Sequence, residues 1–172
     1  MEENKKINKE ISIEVKITTK DLYEFLMYNS YFSFRGIVSV LFSAMAIVGT
    51  ILYWIDFSTF YKVFMIILSM LFTVIVPIEY YVRAKRQAKK GFEEEFNYAF
   101  NEEGITVTKG EESSELKWND VMKVISTKHL VITYFTPIRA FIIPKRCIGE
   151  EFDNLKGIME RNTSCYKFKM KK

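Results

Sequence analysis

Residues 36–55 read GIVSVLFSAMAIVGTILYWI, twenty in a row without a charge. As a helix, at about 1.5 Å per residue, the run reaches about 30 Å, the thickness of a bilayer hydrocarbon core. A second uncharged run, VFMIILSMLFTVIVPI at 63–78, reaches full length if Glu79, Tyr80, Tyr81 and Val82 complete it at the interface. Short core helices of a soluble protein would carry polar stripes, and neither run has one. The runs predict two membrane-spanning helices, about 36–55 and 63–82.

Outside them the chain changes character. The 172 residues are 49% hydrophobic and 27% charged, an average that suits a soluble protein. Yet only Asp56, Lys62 and Glu79 are charged between 36 and 82. That segregation excludes a single water-soluble domain, and an aromatic content of 16% excludes disorder.

Flanking cations set the direction. Arg83, Lys85, Arg86, Lys89 and Lys90 follow the second run without an acid among them, and Lys16, Lys20 and Arg35 precede the first, with Lys5, Lys6 and Lys9 further upstream. Between the runs stands one cation, Lys62. Lys and Arg near span ends favour the cytoplasmic side, so both termini are expected there, with the first span an uncleaved anchor. Tyr53, Trp54, Phe60 and Tyr61 would form the outer aromatic belt, and Tyr31, Phe32, Tyr80 and Tyr81 the inner one.

Gly36, Ser39, Ser43, Ala46 and Thr50 recur every three or four residues, with Ser69 and Thr73 answering on the second run. Small residues let helix backbones approach closely in lipid. The stripe predicts the seam of the hairpin, with a homodimer seam as the alternative. Pro77 would bend the exit of the second span.

Beyond residue 92 the hydrophobic period becomes two, and turn residues recur every 8–12 positions, as in antiparallel sheets. Six strands are expected, near 93–101, 104–109, 113–118, 120–126, 129–135 and 138–143. Pro144 stops the last of them, and Gly149-Glu150-Glu151 opens a helix bearing Phe152, Leu155, Ile158 and Met159 on one stripe. A module of this size is near the lower limit for an independent core. At the N-terminus, Ile11, Ile13, Val15 and Ile17 alternate with polar residues as a half-buried strand, and Thr18 or Thr19 would cap a helix leading to the first span. Left alone, that strand would be an exposed apolar edge, so it is expected to pair with the C-terminal sheet. The layout is a cytoplasmic strand and helix at 1–34, a transmembrane hairpin at 35–82, a basic linker at 83–91, a β module with its helix at 92–162, and a basic tail at 163–172.

Three stretches, in this order and around a hairpin, carry a resemblance: Ile13-Glu-Val-Lys-Ile-Thr-Thr-Lys-Asp-Leu-Tyr-Glu-Phe25, Leu116-Lys-Trp-Asn-Asp-Val-Met-Lys-Val124 and Phe141-Ile-Ile-Pro-Lys-Arg146. The chain resembles the YcxB-like family of small bacterial membrane proteins over about residues 11–162. The resemblance implies a pleckstrin-homology-like cytoplasmic domain, an inner-membrane location and no established activity. It makes Trp118, Asp120 and Pro144 family-motif positions and supplies no catalytic residues.

The residues themselves argue against chemistry. One histidine, His129, cannot form a two-histidine metal site, and no nucleophile elbow, P-loop or dinucleotide fingerprint is present. Cys147 and Cys165 read as a small buried hydrophobe and a tail thiol. No catalytic, cofactor or metal site is expected. Nucleic acid is a poor partner, because the net charge is only +4 and Glu93–Glu95, Glu102-Glu103 and Glu111-Glu112 make the module's rim acidic. Trp118 is expected to fill the core and Asp120 to brace its turn. The expected function is a non-enzymatic membrane protein presenting an interaction or regulatory module to an unknown protein partner. One alternative is binding of anionic lipid headgroups through Arg83, Lys85, Arg86, Lys89, Lys90, Lys145 and Arg146. The other is an accessory role in a transporter or envelope-enzyme complex.

Overall fold

A computed structural model describes residues 10–92 and 94–171, except the side chains of Arg35 and Phe72. Lys5, Lys6, Lys9 and Glu93, which enter the expectations above, lie outside the described residues. The architecture is α+β, in two compact units: one takes the chain up to Asp21 and from Ala88 onward, the other is Leu22–Gln87.

In the first unit, Ile11–Val15 forms β1, buried at every second residue as its alternation requires. It pairs antiparallel with β2 (Phe96–Phe100), setting Ile11 against Phe100 and Ile13 against Tyr98. β3 (Gly104–Lys109) and β4 (Glu112–Lys117) complete a meander ordered β1-β2-β3-β4. The N-terminal strand thus joins the C-terminal sheet across the whole intervening segment. One face carries Ile13, Tyr98 and Val107 in register, and the other carries Glu14, Asn97 and Thr108.

The second sheet holds β5 (Lys123–Ser126), β6 (Leu130–Tyr134), β7 (Ala140–Pro144) and a short β8 (Lys167–Lys169), ordered β7-β6-β5-β8. The expected basic tail therefore includes a strand, parallel to β5, with Phe168 opposite Val124. A turn of helix, α5 (Lys145–Ile148), follows β7, and α6 (Phe152–Asn162) buries its expected stripe of Phe152, Leu155, Ile158 and Met159.

All five residues of β6 are buried, including Thr133, whose hydroxyl has no hydrogen-bond partner among the described residues. An unsatisfied buried hydroxyl costs about 1–3 kcal/mol, and valine has nearly the same shape. Thr133→Val is expected to stabilise the unit by about 1 kcal/mol, read as a raised thermal midpoint. An unchanged or lower midpoint would contradict this.

The other unit is helical. α1 (Thr19–Tyr31), whose first turn belongs to the β-rich unit, meets α2 (Phe34–Leu52) at a bend of 76°. Ser33 caps α2, its Oγ accepting from the Gly36 N–H at 3.1 Å while donating to the Ser30 carbonyl at 2.7 Å. The Ser30 carbonyl lies where a Cβ on residue 36 would sit, so the junction requires glycine. α3 (Thr59–Met70), a π-helical turn at Leu71–Ile75 and α4 (Val76–Gly91) form one 33-residue helix.

The π turn stands just before Pro77. A proline there has no N–H for the carbonyl four residues back and its ring crowds that carbonyl, and the wider turn absorbs the conflict. Residues 83–91, expected as a linker, continue the helix because Ala, Lys, Arg and Gln are good helix formers. By length and composition Thr59–Gly91 could cross a membrane, and Thr19–Tyr31 with Gly36–Leu52 adds a second crossing if the bent pair counts as one span.

Candidate functional site

The residues singled out by sequence fall into separate settings. Arg83, Lys85, Arg86, Lys89 and Lys90 are all exposed on α4, and none forms an ion pair among the described residues. Successive 100° steps put them on one broad arc, away from the buried Ala84. That is a cationic helix face.

Lys145 and Arg146 differ. At the first turn of α5, the Lys145 ammonium donates to the Thr127 carbonyl at 2.8 Å. Arg146 donates from Nη1 and Nη2 to the two oxygens of Asp21, both at 2.7 Å, and again from Nη2 to the Lys16 carbonyl at 2.8 Å. The fork-to-carboxylate geometry is bidentate, the strongest form of this pair. These two cations, named above as alternative lipid contacts, are engaged by groups within the unit.

Asp21 is the residue that sequence reasoning missed. Thr18 precedes α1, and the Asp21 carboxylate accepts from the Thr18 N–H and hydroxyl, both at 2.7 Å. This is an acidic version of the capping box, whose signal is Thr followed three residues later by Asp. Burial alone would raise the Asp21 pKa, but the hydrogen bonds from Arg146 and Thr18 outweigh it and hold the carboxyl below its ordinary 3.8. The Arg146 guanidinium is held more firmly protonated by the same contact.

Trp118 is buried, in a 3₁₀ turn (Trp118–Asp120) rather than on a strand, and its Nε1–H donates to the Asn101 carbonyl at 2.9 Å. The strand expected over 113–118 therefore ends at Lys117 as β4, and the one expected over 120–126 begins only at Lys123 as β5. Asp120 is exposed in the same turn, and Pro144 is buried at the end of β7 opposite Leu130. Beside this turn is an open cleft of about 350 Å³ between Asn101, Gly104, Thr106, Glu115 and Lys117. Gly104 is needed there because a Cβ would collide with the Leu116 carbonyl. Among the described residues no three His, Cys, Asp or Glu side chains are placed to hold a metal.

The small-residue stripe is engaged within the hairpin. Ser43 and Ala46 are buried, and the Ser43 hydroxyl donates to the Ser69 carbonyl at 2.9 Å. Gly36 is covered by the Ser30 carbonyl, and the Thr50 hydroxyl donates to Ala46 of its own helix.

Residues 100–159 match the model of the YcxB-like protein family, a segment that contains Trp118, Asp120, Pro144 and Arg146. The chain resembles the YcxB-like family. An uncharacterized protein, YcxB of Bacillus subtilis (strain 168), is 26% identical to it, with 94% of each chain covered. No solved structure matches the chain. The YcxB-like segment ends before β8 and begins after β1, so Asp21 lies outside it while Arg146 lies within.

Proposed function

We propose that this is a non-enzymatic protein of the bacterial cytoplasmic membrane. Its two apolar helical segments cross the bilayer as a hairpin with both termini cytoplasmic, and the β-rich unit is a pleckstrin-homology-like module that recruits a protein partner. The observation that carries the membrane placement is the outer surface of the helices: Phe34 is 83% exposed, Leu52 71%, Ile55 92% and Phe60 74%. Water does not tolerate so continuous an apolar surface, whereas lipid does. The cations of α4, against the single Lys62 near the other end of the two apolar segments, support the orientation. A four-stranded meander, a second sheet and a closing C-terminal helix support the pleckstrin-homology-like reading.

The test is extraction and topology together. The chain is expected to resist alkaline carbonate, and tags at both termini are expected to be digested only when protease reaches the cytoplasmic face. Release by carbonate, or tags digested on opposite sides, would sink the proposal. Co-purification in mild detergent should recover a stoichiometric protein partner. If blue-native electrophoresis placed the chain in a much larger assembly, the accessory-subunit reading would take over.

The exposed cations of α4 favour a second reading, attraction of anionic lipid headgroups. Each contributes about 1 kcal/mol near an anionic leaflet at low ionic strength. Replacing all five by Gln is expected to reduce enrichment of anionic lipid around the purified protein, with neutral lipid unchanged. Equal lipid composition around both proteins would dismiss this role.

A further inference from the structure

One end of the second sheet gathers residues that no role above uses. Lys123 at the start of β5 is in register with Tyr134 on one side and with Lys167 on the other. Tyr134 is in register with Ala140, and the turn just before it carries Ile138 and Arg139. In the strand order β7-β6-β5-β8, this end therefore presents Ile138-Arg139, then Met122-Lys123, then Tyr166-Lys167. Ile138 is 81% exposed and Tyr166 73%, and Met122 is exposed beside them.

Neither Lys123, Arg139 nor Lys167 makes an ion pair among the described residues, and the Lys123 ammonium instead lies 4.1 Å from the Tyr134 ring centre. Burial chiefly, and the neighbouring Lys167 charge after it, lower the Lys123 pKa. The turn that lifts Ile138 outward is itself ordered: the Thr136 hydroxyl accepts from the Arg139 N–H at 2.8 Å. A soluble anion would use the cations but leave the apolar tips in water. An anionic bilayer surface satisfies both, with apolar and aromatic tips at the headgroup boundary and cations at the phosphates.

We propose that this end of the β5–β8 sheet docks on an anionic membrane surface, with Ile138 and Tyr166 entering the headgroup boundary and Lys123, Arg139 and Lys167 facing lipid phosphates. The proposal rests on the membrane reading above, since a tethered chain keeps the module close to a bilayer. The docked-to-free ratio is expected to fall about fivefold for each cation removed, the equivalent of about 1 kcal/mol per charge.

The test uses the full chain in lipid nanodiscs, with Cys147→Ala, Cys165→Ala and Pro137→Cys carrying an environment-sensitive fluorophore beside Ile138. In discs containing phosphatidylglycerol the probe is expected to shift to the blue and resist iodide quenching. In phosphatidylcholine discs it should stay water-like. Ile138→Asp, or Lys123→Gln with Arg139→Gln and Lys167→Gln, should return it to the water-like state. A water-exposed probe in anionic discs, or equal protection in neutral ones, overturns the proposal. Failure of the chain to enter discs at all counts against the hairpin instead, so the two outcomes are distinguishable. Adding inorganic phosphate to neutral discs separates a soluble anion from a membrane: a blue shift there would also overturn it.

Discussion

Arg146→Met is expected to destabilise the β-rich unit by about 2–3 kcal/mol, far more than a surface arginine normally would. The Asp21 side chain is only 5% exposed, so removing its guanidinium partner leaves a carboxylate with little access to water. Arg146 itself is 49% exposed, which keeps the expected loss toward the lower end of what breaking a buried pair costs. The contact also ties α5, after the last antiparallel strand, to the first turn of α1. Its loss should therefore appear as a lower thermal midpoint of the β-sheet signal. Asp21→Asn combined with Arg146→Met should recover part of it, because no buried charge is then left unpaired. A single Arg146→Met protein with an unchanged midpoint would show that the pair contributes nothing.

The same pair predicts an acid dependence. Folding lowers the Asp21 pKa, so the unfolded chain binds the proton more readily than the folded one. The stabilisation is fully present above the ordinary carboxyl value of 3.8 and is lost as the pH falls below it, through the folded value. Arg146 stays charged throughout, so it adds no pH dependence of its own. Thermal midpoints of the parent chain and of Asp21→Asn should converge on acidification within that window. A constant difference down to strong acid would refute the assignment.

Trp118→Ala is expected to cost about 3–5 kcal/mol, enough to leave a module this small mostly unfolded. The side chain is 4% exposed, so its removal opens a cavity and also takes away the donor to the Asn101 carbonyl. Trp118→Phe retains most of the packing and loses the hydrogen bond, and a smaller cost of about 1–2 kcal/mol is expected. Denaturant midpoints followed by circular dichroism would rank the two variants. Equal stability of Trp118→Ala and the parent would mean that the indole is not a core residue.

The YcxB-like stretches thus have physical content at several motif positions. Trp118 closes the turn between the two sheets, Pro144 ends β7, and Arg146 reaches back to the chain's first strand-and-helix segment. These are reasons of packing and charge pairing, and they differ from the cation-bearing surfaces on α4 and at the end of the β5–β8 sheet, where partners are to be sought.

Local pattern determined much of this protein. Uncharged runs dictated two long apolar helical segments, two-residue alternation dictated β1, β3 and β6, and a threonine at 18 or 19 marked the start of α1. Each signal lies within a few consecutive residues, because helix and strand periodicities are properties of one segment against one face. Only the tertiary structure decided that Arg146 meets Asp21 from 125 residues away, that Lys167–Lys169 adds a parallel strand, and that Trp118 leaves its strand to reach Asn101. An ion pair, a three-residue edge strand and a single inward-turned ring have no period, and their energies exist only once distant segments have been brought together.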